Sequence, residues 1–171
     1  MNNQVIDEEL NIRDATANDM VTVADMIQEL ADYEHMVEGP QLTVEDLQRD
    51  GFERQPPAFK CKVAELSPSG TIVGYAIYFP TYSTWKGRAL MLEDVYVREN
   101  FRRRGYGKKL FYSIAAEAVR MGCCRLDFHV LAWNEARSFY GALGAENLTE
   151  REQWCYYRLS GDALFALSIK T

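Results

Sequence analysis

The sequence predicts an α/β fold whose central sheet is mixed and mostly antiparallel. Three β-rich segments, residues 59–66, 71–79 and 89–98, follow one another with turn residues between them, which is typical of an antiparallel meander. The third is followed by an amphipathic helical segment at 106–121 and a further β-rich segment at 125–131. This strand, helix, strand order predicts a βαβ crossover and one parallel pair.

Flanking helices are expected before the meander. A short strand at residues 11–13 precedes apolar residues at helical spacing over 17–32, and Thr16 is placed to cap that helix. A shorter helix is expected to begin at Thr43 and to end at Gly51. Two helices therefore separate the first strand from the rest of the sheet.

Turn and helix signals divide the remaining chain. Residues 67–70, Ser-Pro-Ser-Gly, predict a hairpin turn, and Pro80 is expected to end the strand that follows it. After the crossover we expect a short helix from Asn134, a final strand over 153–159 and a closing helix over 161–169. Because no repeat, low-complexity tract or linker interrupts the 171 residues, we predict a single domain over 1–171.

The charge distribution indicates one site for an anion. The formal net charge is −6, which argues against bulk nucleic-acid binding. Six basic residues and one acidic residue lie between Arg98 and Lys109, which leaves 13 basic against 24 acidic residues elsewhere. An acidic protein with one basic segment suits a small polyanion at that segment and is compatible with a cationic substrate beside it.

Other composition signals narrow the class of protein. No window of about 18 apolar residues is present, so no segment is expected to span a membrane. Residues 1–10 are polar and acidic and lack the apolar region of a signal peptide, so we expect a cytoplasmic protein with a loose N-terminal segment. The four cysteines form no Cys-x-x-Cys pair, and His35 and His129 have no companion pattern, so no metal site is expected.

The basic segment has the form of a phosphate-binding loop. A β-rich run ending near Arg98 leads into Arg102-x-x-Gly105-x-Gly107 and then into a helix. The first N–H groups of a helix have no intrahelical partner, and its dipole favours an anion there. The segment is not a Walker A loop, and Leu110 stands where the dinucleotide motif has its third glycine. The alternative is a solvated basic turn before an ordinary helix.

In this setting the motif resembles the acetyl-coenzyme A (acetyl-CoA) loop of the GCN5-related N-acetyltransferase (GNAT) superfamily. The segment from Asn134 to Ala145 is similar to the second signature of that family. The order of elements agrees with the family over most of residues 11–159. The resemblance implies a GNAT fold, in which the βαβ unit binds acetyl-CoA.

Finer motifs resemble the diamine and polyamine (spermidine/spermine) N-acetyltransferases and the related thialysine N-acetyltransferases. These motifs include Tyr33-Glu34, Trp85-x-Gly87, Leu92-Glu93-Asp94 and Glu152-x-Trp154. The spacing between Asn134 and Tyr140 is one residue shorter than in the polyamine group. The resemblance implies acetylation of a primary amine on a diamine, a polyamine or a thialysine-like amino acid, by direct attack in a ternary complex. It also implies a homodimer.

The resemblance assigns the coenzyme to two parts of the chain. The strand at Val95–Val97 would bind the pantetheine arm, the basic loop would bind the pyrophosphate, and Asn134 would contact the pantetheine. Tyr140 would face the sulfur and, as the catalytic acid, protonate the departing thiolate. The full coenzyme-binding set is Val95, Tyr96, Val97, Arg102, Arg103, Arg104, Gly105, Tyr106, Gly107, Lys108, Asn134 and Tyr140.

The amine is expected to meet an acidic cluster. A primary amine has a pKa of about 10.4 and arrives protonated, whereas only its neutral form attacks a carbonyl. We expect Glu93 to be the catalytic proton acceptor, with Asp94 in support, although successive strand residues face opposite ways unless a bulge intervenes. The remaining substrate-binding residues are expected to be Tyr33, Glu34 and Glu152. Trp85 and Trp154 are either cation–π walls or core residues, and we favour the core for Trp154.

Two alternative functions remain open from the sequence. A protein lysine or N-terminal acetyltransferase could use the same fold, since basic peptides are cationic as well. A non-catalytic protein could use Arg102–Lys109 to bind RNA or another polyanion, with an affinity that falls steeply with salt.

Overall fold

The structure, a computed structural model, describes residues 8–169. These residues form two compact units, the first ending at His129 and the second beginning at Val130. The first unit contains the sheet and the second contains short helices. None of the helices formed by the described residues is long and apolar enough to cross a bilayer.

The sheet has five strands in sequence order and confirms the predicted fold class. The strands are β1 (Glu9–Asp14), β2 (Lys60–Ser67), β3 (Thr71–Ser83), β4 (Gly87–Val97) and β5 (Leu126–Phe128). The first four pair as antiparallel neighbours, and β4 pairs with β5 in parallel. Glu9 and Leu10 belong to β1 and not to the predicted loose segment; residues 1–7 of that segment lie outside the described part of the chain.

The helices of the first unit cover both faces of the sheet. They are α1 (Met20–Tyr33), which follows a 3-10 turn at Ala17–Asp19, α2 (Val44–Gln48) and α3 (Tyr106–Arg120). One core joins Met20, Val23 and Met26 of α1 to strand residues such as Tyr75 and Tyr96. Because successive strand residues alternate, Gly74 faces the other side, where its nearest neighbours include Leu110 of α3. Helix α3 is therefore the crossover of the predicted βαβ unit.

The predicted cap residue, Thr16, precedes the 3-10 turn that leads into α1. The Asp19 carboxylate accepts a hydrogen bond from the backbone N–H of Thr16 at 2.7 Å. Arg13 of β1 donates to Asp19 at 2.7 Å and to Glu65 of β2 at 3.0 Å. These bonds hold the pKa of Asp19 down at about 2, with the Arg13 hydrogen bond as the main cause. Arg13 thus links the residues at the start of α1 to β1 and β2.

Pro80 does not end β3, which continues to Ser83. Pro80 lies opposite Leu90, whose N–H donates to Arg125 and therefore points away from β3. Pairing of β2 with β3 reaches Tyr78 but not Pro80. Neither β2 nor β4 accepts a hydrogen bond from the main chain at this position. Proline, which has no N–H, therefore costs the strand no ladder hydrogen bond.

The short second helix also continues past its predicted end. A π-helical turn at Arg49–Glu53 follows α2 and contains Gly51. A Cβ atom at Gly51 would lie 2.7 Å from the Phe59 ring. Gly51 therefore permits a close approach of this aromatic ring, and it does not stop the helix.

The second unit contains α4 (Ala136–Ala142), α5 (Leu148–Glu152) and α6 (Gly161–Ser168). Helices α4 and α6 were predicted, whereas α5 was not. The predicted strand at 153–159 is absent. Trp154, which was expected to lie in the core, is exposed, and so is the neighbouring Cys155. Aromatic and β-branched residues favour a strand only where a partner strand is available, and residues 130–169 form no strand that could pair with this segment.

Candidate active site

Strand β4 has an open edge where it passes β5. The parallel pair joins only Leu90–Leu92 to Leu126–Phe128, because β5 stops at Phe128 and does not run to residue 131 as expected. Beyond this pair β4 continues to Val97 with β3 on its other side. Among residues 8–169, no strand pairs with the exposed edge at residues 93–97. An extended ligand that carries amides can bind such an edge through main-chain hydrogen bonds.

A β-bulge separates the roles of Glu93 and Asp94. On β3, Ile77 pairs with Asp94 while Tyr78 pairs with Leu92, so Glu93 is an extra residue on β4. Glu93 is exposed and Asp94 is half-buried. Asp94 lies opposite Ile77, which belongs to the core on the α1 side of the sheet. The bulge therefore sends one carboxylate to solvent and the other towards α1.

Asp94 is a desolvated carboxylate beside two other acids. The hydroxyl of Tyr75, which is fully buried, donates to it at 3.2 Å. Burial is the main cause that raises the pKa of Asp94 to about 6; the charges of Glu93 and Glu34 contribute to the rise, and the Tyr75 hydrogen bond opposes it. A carboxyl group with this pKa is better matched to proton transfer near neutral pH than an ordinary aspartate.

Glu34 directly follows α1, and its half-buried position raises its pKa as well. Its effect on Asp94 places the two carboxyl groups in one electrostatic neighbourhood, together with Glu93. The structure therefore brings three of the predicted substrate-binding acids close to one another, with Asp94 directed towards α1 and Glu93 towards solvent. A cluster of acids that share a partly buried site favours a cationic ligand, because its charge offsets their mutual repulsion.

Tyr33 and Tyr96 hold the side chain of Arg102. Its guanidinium carbon lies 4.9 Å from the Tyr33 ring centroid and 5.3 Å from that of Tyr96, and its Nε donates to the Val97 carbonyl at 2.9 Å. The Tyr96 hydroxyl donates to Glu29 at 3.1 Å. Arg102 therefore folds back between β4 and α1, whereas the sequence had suggested a place at the phosphates.

The rest of the basic loop is arranged for an anion. Gly105 precedes α3 with φ +79°, and Arg103 adopts φ +61°, so both residues are in left-handed conformations. The N–H groups from Tyr106 to Lys108 come before the hydrogen bond that Lys109 N–H donates to the Gly105 carbonyl. They lie in the first turn of α3 and have no partner within the helix. Arg103, Arg104 and Lys108 are exposed on the same short segment, so their charges add to the positive potential around these amides.

Three predicted site residues lie in the second unit. Asn134 accepts a hydrogen bond from the N–H of Ala136 at 2.9 Å and so organises the start of α4. Tyr140 lies on α4, its ring centroid is 5.2 Å from that of Phe139, and burial raises its pKa. Glu152 is exposed and accepts from the indole N–H of Trp154 at 2.7 Å.

Sequence reasoning missed Tyr75 and Glu29. Glu29 precedes Tyr33 by four residues on α1, so helical spacing could have placed the two on one face. The partner of Tyr75 depends on the bulge at Glu93, and no local pattern signals that bulge. Arg98, which had been counted only among the basic residues, pairs with Glu29 at 3.0 Å.

An open strand edge, an anion-binding loop at a helix N-terminus and a nearby acidic cluster define a protein that can hold a phosphate-bearing ligand beside a cation. The family model for the Acetyltransferase (GNAT) family matches residues 23–145. The chain belongs to this family, whose members are enzymes that use acetyl-CoA. It is therefore an acetyltransferase, and the alternative of a non-catalytic polyanion-binding protein does not apply.

Relatives with similar sequences carry more specific names. The thialysine N-epsilon-acetyltransferase of Bos taurus is 40% identical over 166 residues, which cover 93% of this chain and 97% of the relative. The spermidine/spermine N(1)-acetyltransferase-like protein 1 of Homo sapiens is 36% identical over 163 residues, which cover 92% of this chain and 23% of that longer protein.

A solved structure supports the fold. An aminoglycoside N-acetyltransferase, AAC(6')-Iy, in complex with CoA matches with a TM-score of 0.69 and 20% identity, over 88% of this chain and 95% of that one.

Proposed function

We propose that the protein transfers an acetyl group from acetyl-CoA to a primary amine of a small cationic substrate. The substrate is a diamine, a polyamine or a lysine-like amino acid such as thialysine. The observation that carries the proposal is the cluster of Glu34, Glu93 and Asp94 beside the open edge of β4. The names of the relatives that align over most of this chain support the same substrate class.

The residues of the first unit fit the donor. Acetyl-CoA supplies the acetyl thioester. The edge of β4 at Val95–Val97 orients the amide-bearing pantetheine arm, and the amides and charges from Arg103 to Lys108 bind the pyrophosphate. We assign the side chain of Arg102 to the α1 side of β4, so at this position only the main chain serves the donor.

The acidic cluster binds the acceptor and takes its proton. The ammonium group pairs with the carboxylates, and one of them accepts a proton to give the neutral amine. The nitrogen lone pair then forms the C–N bond at the thioester carbonyl, the C–S bond breaks, and the second amine proton leaves to solvent. Asp94, with a pKa of about 6, and the accessible Glu93 are the two candidate acceptors.

The resemblance assigns three further roles. Tyr140 donates its phenolic proton to the departing thiolate, Asn134 contacts the pantetheine, and Glu152 binds the substrate. A phenol with a raised pKa gives up its proton reluctantly, so hydrogen bonding to the thiolate is a large part of this role. A metal-independent reaction in a cytoplasmic homodimer completes the proposal, on the basis of the sequence.

A panel of acceptors tests this function. The purified protein is assayed with acetyl-CoA and spermidine, putrescine, lysine and thialysine, beside basic peptides with free lysines or N-termini. The proposal expects kcat/KM for at least one small amine to exceed that of every peptide. Turnover of peptides alone would instead establish a protein acetyltransferase. Tyr140→Phe serves as the catalytic control, because it should lower kcat much more than it raises the KM for the amine.

A further inference from the structure

A cavity of about 710 Å³ lies between the C-terminal half of α1 and the end of β4. Its lining carries both signs of charge, with Glu29 and Asp32 on α1, and Arg98 and Arg102 in the segment that follows β4. Tyr33 and Tyr96 form its aromatic wall. We propose that this cavity binds the α-carboxylate and the α-ammonium of an amino acid whose side-chain amine is acetylated, an inference that rests on the proposed function.

The two arginines are set to bind a carboxylate. Arg98 uses its Nε for Glu29 at 3.0 Å, and Arg102 uses its Nε for the Val97 carbonyl at 2.9 Å. The Arg98 bond leaves its terminal Nη groups for a ligand, and these groups have the fork geometry that matches a carboxylate. The Arg102 guanidinium also interacts with the Tyr96 side chain, so it adds mainly positive charge to the cavity. Each guanidinium is fixed by a protein contact before the ligand arrives, so little conformational entropy is lost on binding.

An acid for the α-ammonium faces the same cavity. Asp32 is exposed on α1, and one of its oxygens accepts from Gln28 at 2.8 Å. Glu29 is already engaged by Arg98 and by the Tyr96 hydroxyl. Of the two α1 carboxylates that line the cavity, that of Asp32 is therefore better placed to pair with a cation. A diamine has no carboxylate to pair with the arginines. A basic amino acid has both a carboxylate and an α-ammonium, and so can pair with both signs of charge in the cavity.

The spacing matches a basic amino acid. Asp94 and Tyr96 are two residues apart on one face of β4, a separation of about 7 Å, which is close to the length of an extended lysine side chain. Tyr96 forms the cavity wall, Asp94 belongs to the acidic cluster, and Tyr33 of the cavity is followed directly by Glu34 of the cluster. An amino acid with its head group in the cavity can thus present its ω-amine to Glu34 and Asp94.

Three acceptors isolate the two charges. Lysine carries both head-group charges, cadaverine is lysine without the carboxylate, and 6-aminohexanoate is lysine without the α-amine. Arg98→Gln should lower the kcat/KM ratio of lysine to cadaverine about tenfold, since a charge-assisted hydrogen bond is lost. Asp32→Asn should lower the ratio of lysine to 6-aminohexanoate several-fold. Arg98→Lys, which keeps the charge without the fork, should lie between wild type and Arg98→Gln.

A distant arginine provides the control. Arg120 ends α3 and pairs with Glu117, and Arg120→Gln should leave both ratios unchanged. Ratios that stay constant in Arg98→Gln and Asp32→Asn would overturn the proposal while leaving the proposed function intact. A rise in the KM for acetyl-CoA, equal with every acceptor, would also overturn it, because the cavity would then serve the coenzyme.

Equilibrium binding separates the subsite from the reaction. If no small amine is acetylated, the proposed function fails, and calorimetry with lysine and cadaverine still tests the cavity. Tighter binding of lysine to wild type, lost in Arg98→Gln, would support the head-group site without turnover. Equal binding of lysine and cadaverine would overturn it.

Discussion

Glu93 and Asp94 are neighbours in the sequence, but the fold gives them different chemistry. The motif predicted Glu93 as the proton acceptor and Asp94 as its support. The bulge leaves Glu93 in water and buries Asp94 against Tyr75. Desolvation, which a sequence motif does not show, raises the pKa of Asp94 to about 6. Asp94 therefore has a pKa that suits proton transfer near neutral pH, and Glu93 is the more accessible residue.

Asp94→Asn separates these two candidates. The amide still accepts a hydrogen bond from Tyr75 but cannot take a proton, so kcat should fall by a factor of about 10² to 10⁴. In wild type the rate should rise with pH through about 6 as Asp94 ionises, and this rise should be absent from the residual activity of the variant. Glu93→Gln is the matched comparison. If the rise of the rate near pH 6 persists in Asp94→Asn, a group other than Asp94 accepts the amine proton.

The same variant has a stability signature of definite sign. The folded-state pKa of Asp94 is raised from 3.8 to about 6, so between these values the folded state binds more protons than the unfolded state. The free energy of unfolding therefore falls as pH rises through this window, and the relative stabilisation is complete only below about pH 4. Asp94→Asn lacks this loss, so its Tm relative to wild type should increase from pH 4 to pH 7.

At the scale of elements, hydrophobic periodicity predicted the strands correctly wherever a partner strand was available to pair with them. Alternating runs gave the β2–β3–β4 meander, and the strand, loop, helix, strand order gave the parallel β4–β5 pair. The pattern failed at residues 153–159, where strand-forming residues lack a partner strand in their unit. The prediction that Pro80 ends β3 was also wrong, because the position opposite Leu90 does not require an N–H donor. Strand length depends on neighbours, and a single sequence does not display them.

The site was predictable to a similar extent. The glycine loop, Glu34 and Glu93–Asp94 follow from local motifs. The structure places them at the start of α3, at the end of α1 and on β4, respectively. The side chain of Arg102, the Tyr75 hydrogen bond and the Glu29–Arg98 pair arise from contacts between elements far apart in sequence. Local patterns indicate which residues have side chains suited to binding or catalysis. Packing between distant elements determines which of these side chains come into contact.

Gly74 tests how the β3–β4 pair supports the site. A Cβ atom here would lie 2.7 Å from the Tyr96 carbonyl oxygen and 3.1 Å from side chains of Leu110 and Val97. Gly74→Ala should therefore destabilise the fold by about 1–3 kcal/mol, as overpacking does, and raise the KM for acetyl-CoA by displacing β4. Gly141→Ala, on α4 with open space around it, is the control and should be neutral or slightly stabilising. Equal Tm values for the two variants would contradict this reading of Gly74.

At the scale of the whole molecule, charge is separated by function. The net charge is −6, yet the segment from Arg98 to Lys109 carries six basic residues and a single acid. An acidic surface repels the polyanionic donor everywhere except at this segment, and it attracts a cationic acceptor. The two substrates of the proposed reaction are opposite in charge, so one charge pattern can serve both.

This pattern predicts a salt effect that depends on the phosphates of the donor. Raising the ionic strength from about 0.1 M to about 1 M shortens the Debye length from about 10 Å to about 3 Å. With the amine saturating, the KM for acetyl-CoA should rise several-fold, because Arg103, Arg104 and Lys108 are exposed and their attraction for the phosphates is screened. Acetyl-pantetheine carries the same thioester arm without phosphates, so its KM should change little over the same range. A parallel rise for both donors would place the screened interaction at the amine or within the fold, and it would remove the assignment of these three side chains to the coenzyme phosphates.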